Sequence, residues 1–121
     1  MAGTTTLKRT EWRGALDAVT ADHPGELVTI EVLDPEVGYQ HEAERLPFAA
    51  ITYDPADDVV IISVGGRDER YPVDLRHMVW HPVEVDLVAD EIPQPAVRVV
   101  EPDSTTTLVV FHPAESERTA I

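Results

Sequence analysis

Five histidines are the first candidates for chemistry, because imidazole binds metals and transfers protons near neutral pH. They are His23, His41, His77, His81 and His112. Of these, His77 and His81 are four residues apart, a spacing that on a helix lets two side chains bind one ion. Pro82 and a strand pattern follow them, however, and residues four apart on a strand lie about 13 Å from each other. We therefore predict no metal site and no bound cofactor.

Carboxylates and hydroxyls form no recognisable catalytic set. The stretch Asp54-Pro55-Ala56-Asp57-Asp58 is typical of a turn and lacks the central glycine and closing glutamate of a calcium loop. Glu84 and Asp86 alternate with apolar neighbours, which predicts a solvated strand face. The chain has no cysteine and no Gly-x-Ser-x-Gly motif. We predict no catalytic residue, which makes a non-enzymatic role the favoured one.

Net charge narrows the range of partners. The chain has 23 acidic and nine basic residues, a formal charge of −14. Such a surface repels phosphates, so direct binding to nucleic acid or to an anionic membrane is not expected. No apolar run approaches the about 20 residues of a membrane-spanning helix, and no signal-peptide pattern opens the chain. Together with the absence of cysteine, these features predict a cytoplasmic protein.

One segment, Arg76–Pro82, differs in composition from this acidic background. It combines arginine, methionine and tryptophan, residue types that are enriched at protein interfaces. Lying between two predicted strands, it is expected to run over the surface as a loop. The interaction candidates are Arg76, His77, Met78, Trp80 and His81. In the alternative, Met78 and Trp80 point into the core and only the charged and imidazole side chains meet water.

The first predicted secondary-structure element is a helix near the N-terminus. Residues 11–21 place Trp12, Ala15, Leu16 and Val19 on one apolar stripe. Thr10 is the expected N-cap, and His23-Pro24-Gly25 ends the helix. The stripe must pack against something, because three turns of helix are marginal alone.

After Gly25 the apolar period changes to two, which predicts antiparallel strands separated by turns. The predicted strands cover residues 27–33, 42–53, 59–64, 67–73, 83–87, 96–101 and 106–112. Pro47 inside the second of these implies a sheet edge or a bulge. We predict a mainly β fold with one N-terminal helix, as a bent antiparallel sheet or a small SH3-like barrel; a two-layer α+β open sheet is the alternative. Residues 1–121 form one domain, with an ordered core of about residues 7–113 between flexible ends.

Several sequence blocks resemble a family of small bacterial proteins of unknown function. The blocks are Leu7-x3-Glu11-Trp12-x3-Leu16-Asp17, Ile30-Glu31-Val32, Glu42-Ala43-Glu44-x-Leu46-Pro47, Ile51-Thr52-Tyr53-Asp54-Pro55-x2-Asp58 and His81-Pro82-x-Glu84-Val85. The resemblance covers most of residues 7–112. Members usually carry an Asp-Gly turn in the last hairpin, where this chain has Pro102-Asp103-Ser104. The family implies one domain and no activity, cofactor or catalytic residue.

Three functional hypotheses follow. The first is a non-catalytic acidic interaction module that binds a protein partner or itself. The second is a small enzyme or ligand-binding protein with a pocket beside the helix and Trp80–His81. The third is an acidic mimic of nucleic acid that occupies the site of a nucleic-acid-binding protein.

Overall fold

The computed structural model describes residues 4–65, 73–88 and 95–112. Helix α1 spans Trp12–Asp22 and is preceded by a 3-10 turn, Arg9–Glu11. The strands are β1 (Thr4–Thr6), β2 (Leu27–Asp34), β3 (Gly38–Asp54), β4 (Val59–Gly65), β5 (Val73–Trp80), β6 (Glu84–Val88), β7 (Ala96–Val100) and β8 (Thr106–His112).

All eight strands form one antiparallel sheet in the order β1-β6-β7-β8-β2-β3-β4-β5. This confirms the predicted mainly β fold with one N-terminal helix and a bent antiparallel sheet. The long strand β3 belongs to both halves of the sheet: its first part pairs with β2 and its second part with β4. The sheet therefore divides at the middle of β3.

Pro47 marks the point of division. Pairing between β2 and β3 ends at Leu27 and Pro47, and the β2–β3 ladder is interrupted near Ile30 by a bulge. Arg45 in this stretch has φ +52°, the left-handed conformation that a bulge commonly requires. The proline's missing N–H is harmless where a strand loses its partner. The predicted edge or bulge at Pro47 is thus confirmed.

Helix α1 covers the edge of β3 that β2 leaves unpaired. The Thr20 hydroxyl accepts a hydrogen bond from the Ile51 N–H at 2.9 Å and donates to the Ile51 carbonyl at 2.7 Å. Trp12 and Leu16 are buried, and the Trp12 ring meets Tyr53 edge-to-face at 5.2 Å between ring centroids. The predicted helix stripe thus packs against β3, as the marginal length of α1 requires.

The core lies between the two halves of the bent sheet. Val28, Ile30 and Val32 of β2 point inward, as their alternation predicts. From the far edge, His77 of β5 reaches Thr107 of β8, with His77 Nε2 lying 3.2 Å from Thr107 Oγ1. Contact between these strands shows that the two halves fold toward each other over a shared apolar interior.

Three local predictions need correction. Thr10 is not an N-cap but part of the 3-10 turn, where the Glu11 carboxylate instead accepts a hydrogen bond from the Lys8 N–H at 2.8 Å. The segment Arg76–Pro82 is not a loop, because its first five residues belong to strand β5. Asp86 is fully buried rather than solvated. The predicted strand at residues 67–73 lies almost entirely outside the described residues.

Candidate interaction surface

Strand β5 presents the predicted interaction residues at one edge of the sheet. Its outward side chains are Arg76, Met78 and Trp80, all exposed, whereas Val79 is fully buried and His77 is partly buried. Exposed fractions of 41% for Met78 and 47% for Trp80 are high for such large apolar side chains. Trp80 therefore lies at the surface, while the core tryptophan is Trp12.

The main chain of β5 also has an outward side. The Ile51 N–H and C=O point away from β4, because both bond to Thr20 of the helix. Ile51 is paired with Ile62, and Ile62 with His77. Since hydrogen-bonding direction alternates along a strand, the His77 main-chain groups face β4 and those of Met78 face away from it. No described strand pairs with β5 on that side.

A polar cluster fixes the carboxyl end of β5. The Asp58 carbonyl accepts a hydrogen bond from the His81 N–H at 2.7 Å, and the Asp58 carboxylate lies 3.3 Å from His81 Nδ1. Both residues have φ +55°, a left-handed conformation that aspartate and histidine adopt more readily than most residues. The two residues with left-handed backbone, Asp58 and His81, are therefore hydrogen-bonded to each other directly after Trp80.

Asp58 is the centre of this cluster. Its carboxylate accepts a hydrogen bond from the Tyr53 hydroxyl at 2.7 Å and from the Arg9 guanidinium at 3.1 Å. The Tyr53 bond, supported by those from His81 and Arg9, keeps the pKa of Asp58 below its usual value although burial opposes it. Burial and the Asp58 carboxylate raise the pKa of Tyr53. The carboxylate is therefore charged, and the phenol neutral, throughout the physiological range.

Arg9 connects the cluster to the helix and to the start of β6. Its guanidinium carbon lies 4.4 Å from the centre of the Trp12 ring, and a second guanidinium nitrogen donates to the Pro82 carbonyl at 3.2 Å. The Glu-Trp, Thr-Tyr-Asp-Pro and His-Pro blocks that carry the family resemblance thus converge at one place. Sequence reasoning did not predict this cluster, because no spacing rule joins residues 73 positions apart.

The remaining histidines are dispersed. His23 stacks on Phe111 with 4.2 Å between ring centroids, and His112 Nε2 lies 2.8 Å from Thr29 Oγ1. His41 lies beside Tyr39 on β3. Within the described ranges, no group of three or more histidine, cysteine, aspartate or glutamate residues could hold a metal ion.

A hollow beside the helix is relevant to the ligand-binding hypothesis. It has a volume of about 440 Å³ and lies between α1 and the β3–β4 turn, next to Arg13, Asp17, Tyr53 and Pro55. Trp80 and His81 do not line it. The hollow and the exposed tryptophan are therefore separate features of the surface.

The buried carboxylate of Asp86 is a feature that sequence reasoning missed. Its Oδ2 is 2.6 Å from one nitrogen of Arg98 and 2.8 Å from another, and Glu84 shares the same guanidinium at 3.4 Å. Burial acts to raise the pKa of Asp86, but its hydrogen bonds with Thr6, Glu84 and Arg98 outweigh burial and leave the pKa below its usual value. The register that pairs Asp86 with Arg98 provides the counter-charge, which the alternation pattern alone did not reveal.

Comparison with known proteins supplies a family but no activity. The model of a family of unknown function (DUF5335) matches residues 3–119. An uncharacterized protein of Aquifex aeolicus (strain VF5) is 27% identical over 111 residues, which cover 92% of this chain and 94% of the relative. No solved structure matches significantly. In the part of the chain that the structure describes, no helix has the length and apolar character needed to cross a membrane.

Proposed function

We propose a function from the surface chemistry of this chain, because it belongs to DUF5335, a family of unknown function. The protein is a non-catalytic interaction module that binds a partner protein along strand β5. The observation that carries the proposal is the edge position of β5, with Met78 and Trp80 exposed on one face. An extended segment of a partner would continue the sheet by strand addition.

Two contributions would hold the partner strand. The outward N–H and C=O groups of Met78 and its alternate neighbours supply main-chain hydrogen bonds, which carry affinity in this type of recognition. Arg76, Met78 and Trp80 lie on one face, where cross-strand neighbours would contact them. The polar cluster around Asp58 fixes the end of β5, which reduces the conformational entropy that β5 loses when a partner binds.

Local charge indicates the chemistry of the partner. From Arg76 to His81 the chain has one arginine and two histidines and no acidic residue, in contrast to the −14 of the whole. The complementary strand would place an acidic side chain opposite Arg76 and apolar side chains opposite Met78 and Trp80. Two copies of so acidic a chain repel each other, which favours a different protein over self-association.

The same proposal treats residues 1–121 as one cytoplasmic domain. The pairing of β1 with β6 and of β8 with β2 supports this, because both ends of the described chain enter one sheet. The cysteine-free composition supports a reducing compartment.

Selection of peptides from a random nine-residue library tests strand addition, with Met78→Pro as the discriminating variant. This substitution removes an outward N–H without removing a donor to β4. Peptides selected on the wild-type protein should bind Met78→Pro at least about tenfold more weakly, measured by fluorescence anisotropy. Met78→Ala, which keeps the N–H, should retain more of the binding.

Two results would contradict the proposal. One is a set of selected peptides that bind wild type and folded Met78→Pro equally well, with folding checked by circular dichroism. The other is a dimer in sedimentation experiments at micromolar concentration that Met78→Pro dissociates, because the occupant of β5 would then be a second copy.

A further inference from the structure

A second surface lies on the outer face of the larger half of the sheet, away from β5. Register places two rows of side chains across five strands. One row runs Asp86, Arg98, Leu108, Glu31 and His41, and the other runs Glu84, Val100, Thr106, Leu33 and Tyr39. Apolar residues in the middle of an outward face are unexpected, because such a face is ordinarily polar.

These rows border a groove of about 320 Å³. Its lining residues are Glu31, Leu33, Tyr39, Arg98, Thr106 and Leu108. Leu33 and Tyr39 are 54% and 55% exposed, so the groove offers an aliphatic and an aromatic wall to a ligand. The volume lies at the lower end of the range of small-molecule sites.

Charge around the groove is negative. The Arg98 guanidinium is bound by Asp86 at 2.6 Å and by Glu84 at 3.4 Å, so its positive charge is already offset. Glu31 adds a third carboxylate, which lies 3.7 Å from His41 Nε2 and is hydrogen-bonded to the Tyr39 side chain. An anion would therefore meet net repulsion here, whereas a cation would be attracted.

We propose that this groove binds a small organic ammonium ion, with the Glu31 carboxylate facing the ammonium group and Leu33, Leu108 and Tyr39 contacting the apolar body. A carboxylate next to an exposed aromatic ring is a favourable environment for such a cation, since the ring face attracts positive charge as well. The bound cation would also reduce repulsion among the carboxylates at this face.

Titration with 2-phenylethylamine, followed by NMR shifts of Tyr39 and its neighbours, tests the proposal. Binding is expected with a dissociation constant of about 1 mM, because so small a ligand buries few atoms. Glu31→Gln should weaken it about tenfold through loss of the charged partner. The matched control Asp57→Asn removes an exposed carboxylate in the β3–β4 turn and should leave the affinity unchanged.

The anionic analogue 3-phenylpropionate completes the design, because it keeps the ring and reverses the charge. It should cause no saturable shift of Tyr39. The proposal is overturned if the propionate binds as well as the amine, if Glu31→Gln binds the amine as tightly as wild type, or if the amine shifts no groove resonance.

Discussion

The three-stranded half of the sheet, β3–β4–β5, has two edges that are treated differently. At β3, helix α1 covers the edge, and one hydroxyl, that of Thr20, bonds both main-chain groups of Ile51. At β5, no described element plays this part, and large apolar side chains stand exposed beside outward main-chain groups. An uncovered strand edge promotes association unless it is protected. The covered β3 edge therefore has a structural role, whereas the uncovered β5 edge is suited to binding a partner.

The helix-covered edge should be the more costly one to disturb. Trp12 is 2% exposed and lies against Tyr53, so Trp12→Ala leaves a cavity beneath the helix. We expect a loss of about 3–5 kcal/mol in the free energy of unfolding, measured by urea denaturation. Trp80→Ala at the exposed edge is the matched control and should cost under about 1 kcal/mol. Equal losses in both variants would remove the distinction between the two edges.

A smaller effect isolates the hydrogen bonds of the covered edge. Thr20→Val keeps the shape of the side chain but leaves the Ile51 N–H and C=O without their partner. We expect a loss of about 2 kcal/mol, because unsatisfied buried groups cost about 1–3 kcal/mol. Thr20→Ser retains the hydroxyl and should remain within about 1 kcal/mol of wild type. If valine proves as stable as serine, water rather than Thr20 satisfies this edge.

Periodicity predicted much of the fold but little of the arrangement of its polar groups. Alternation in β2 identified Val28, Ile30 and Val32 as inward-facing, and Pro47 indicated where β3 changes partners, because both are local properties of the chain. Asp58 lies in the predicted turn, but the hydrogen bonds that its carboxylate accepts from Arg9 and Tyr53 were not predicted, and Asp86 is buried rather than solvated. Their roles depend on Arg9 and Arg98, which register and long-range folding bring to them and which spacing along the chain does not reveal.

The smallest expected effect is a change in the pH dependence of stability caused by His77, which lies on the inner face of β5. Burial lowers the pKa of His77 from its ordinary 6.5, and Glu42 partly opposes this. The folded protein therefore binds fewer protons at this residue than the unfolded chain does. The stability that neutral His77 contributes is present above pH 6.5 and is lost as the pH falls from there toward the lowered folded value.

His77→Gln tests this contribution, because glutamine can still bond to Thr107 and does not titrate. Between pH 7.5 and 5.5, wild type should lose more unfolding free energy than the variant, measured by urea denaturation at several pH values. The carboxyls of Glu84 and Glu101, whose pKa values are raised by Asp86 and by burial respectively, titrate in both proteins and cancel in the difference. Parallel curves for wild type and His77→Gln would mean that His77 is protonated without cost, and that the inner face of β5 is as open to water as its outer edge.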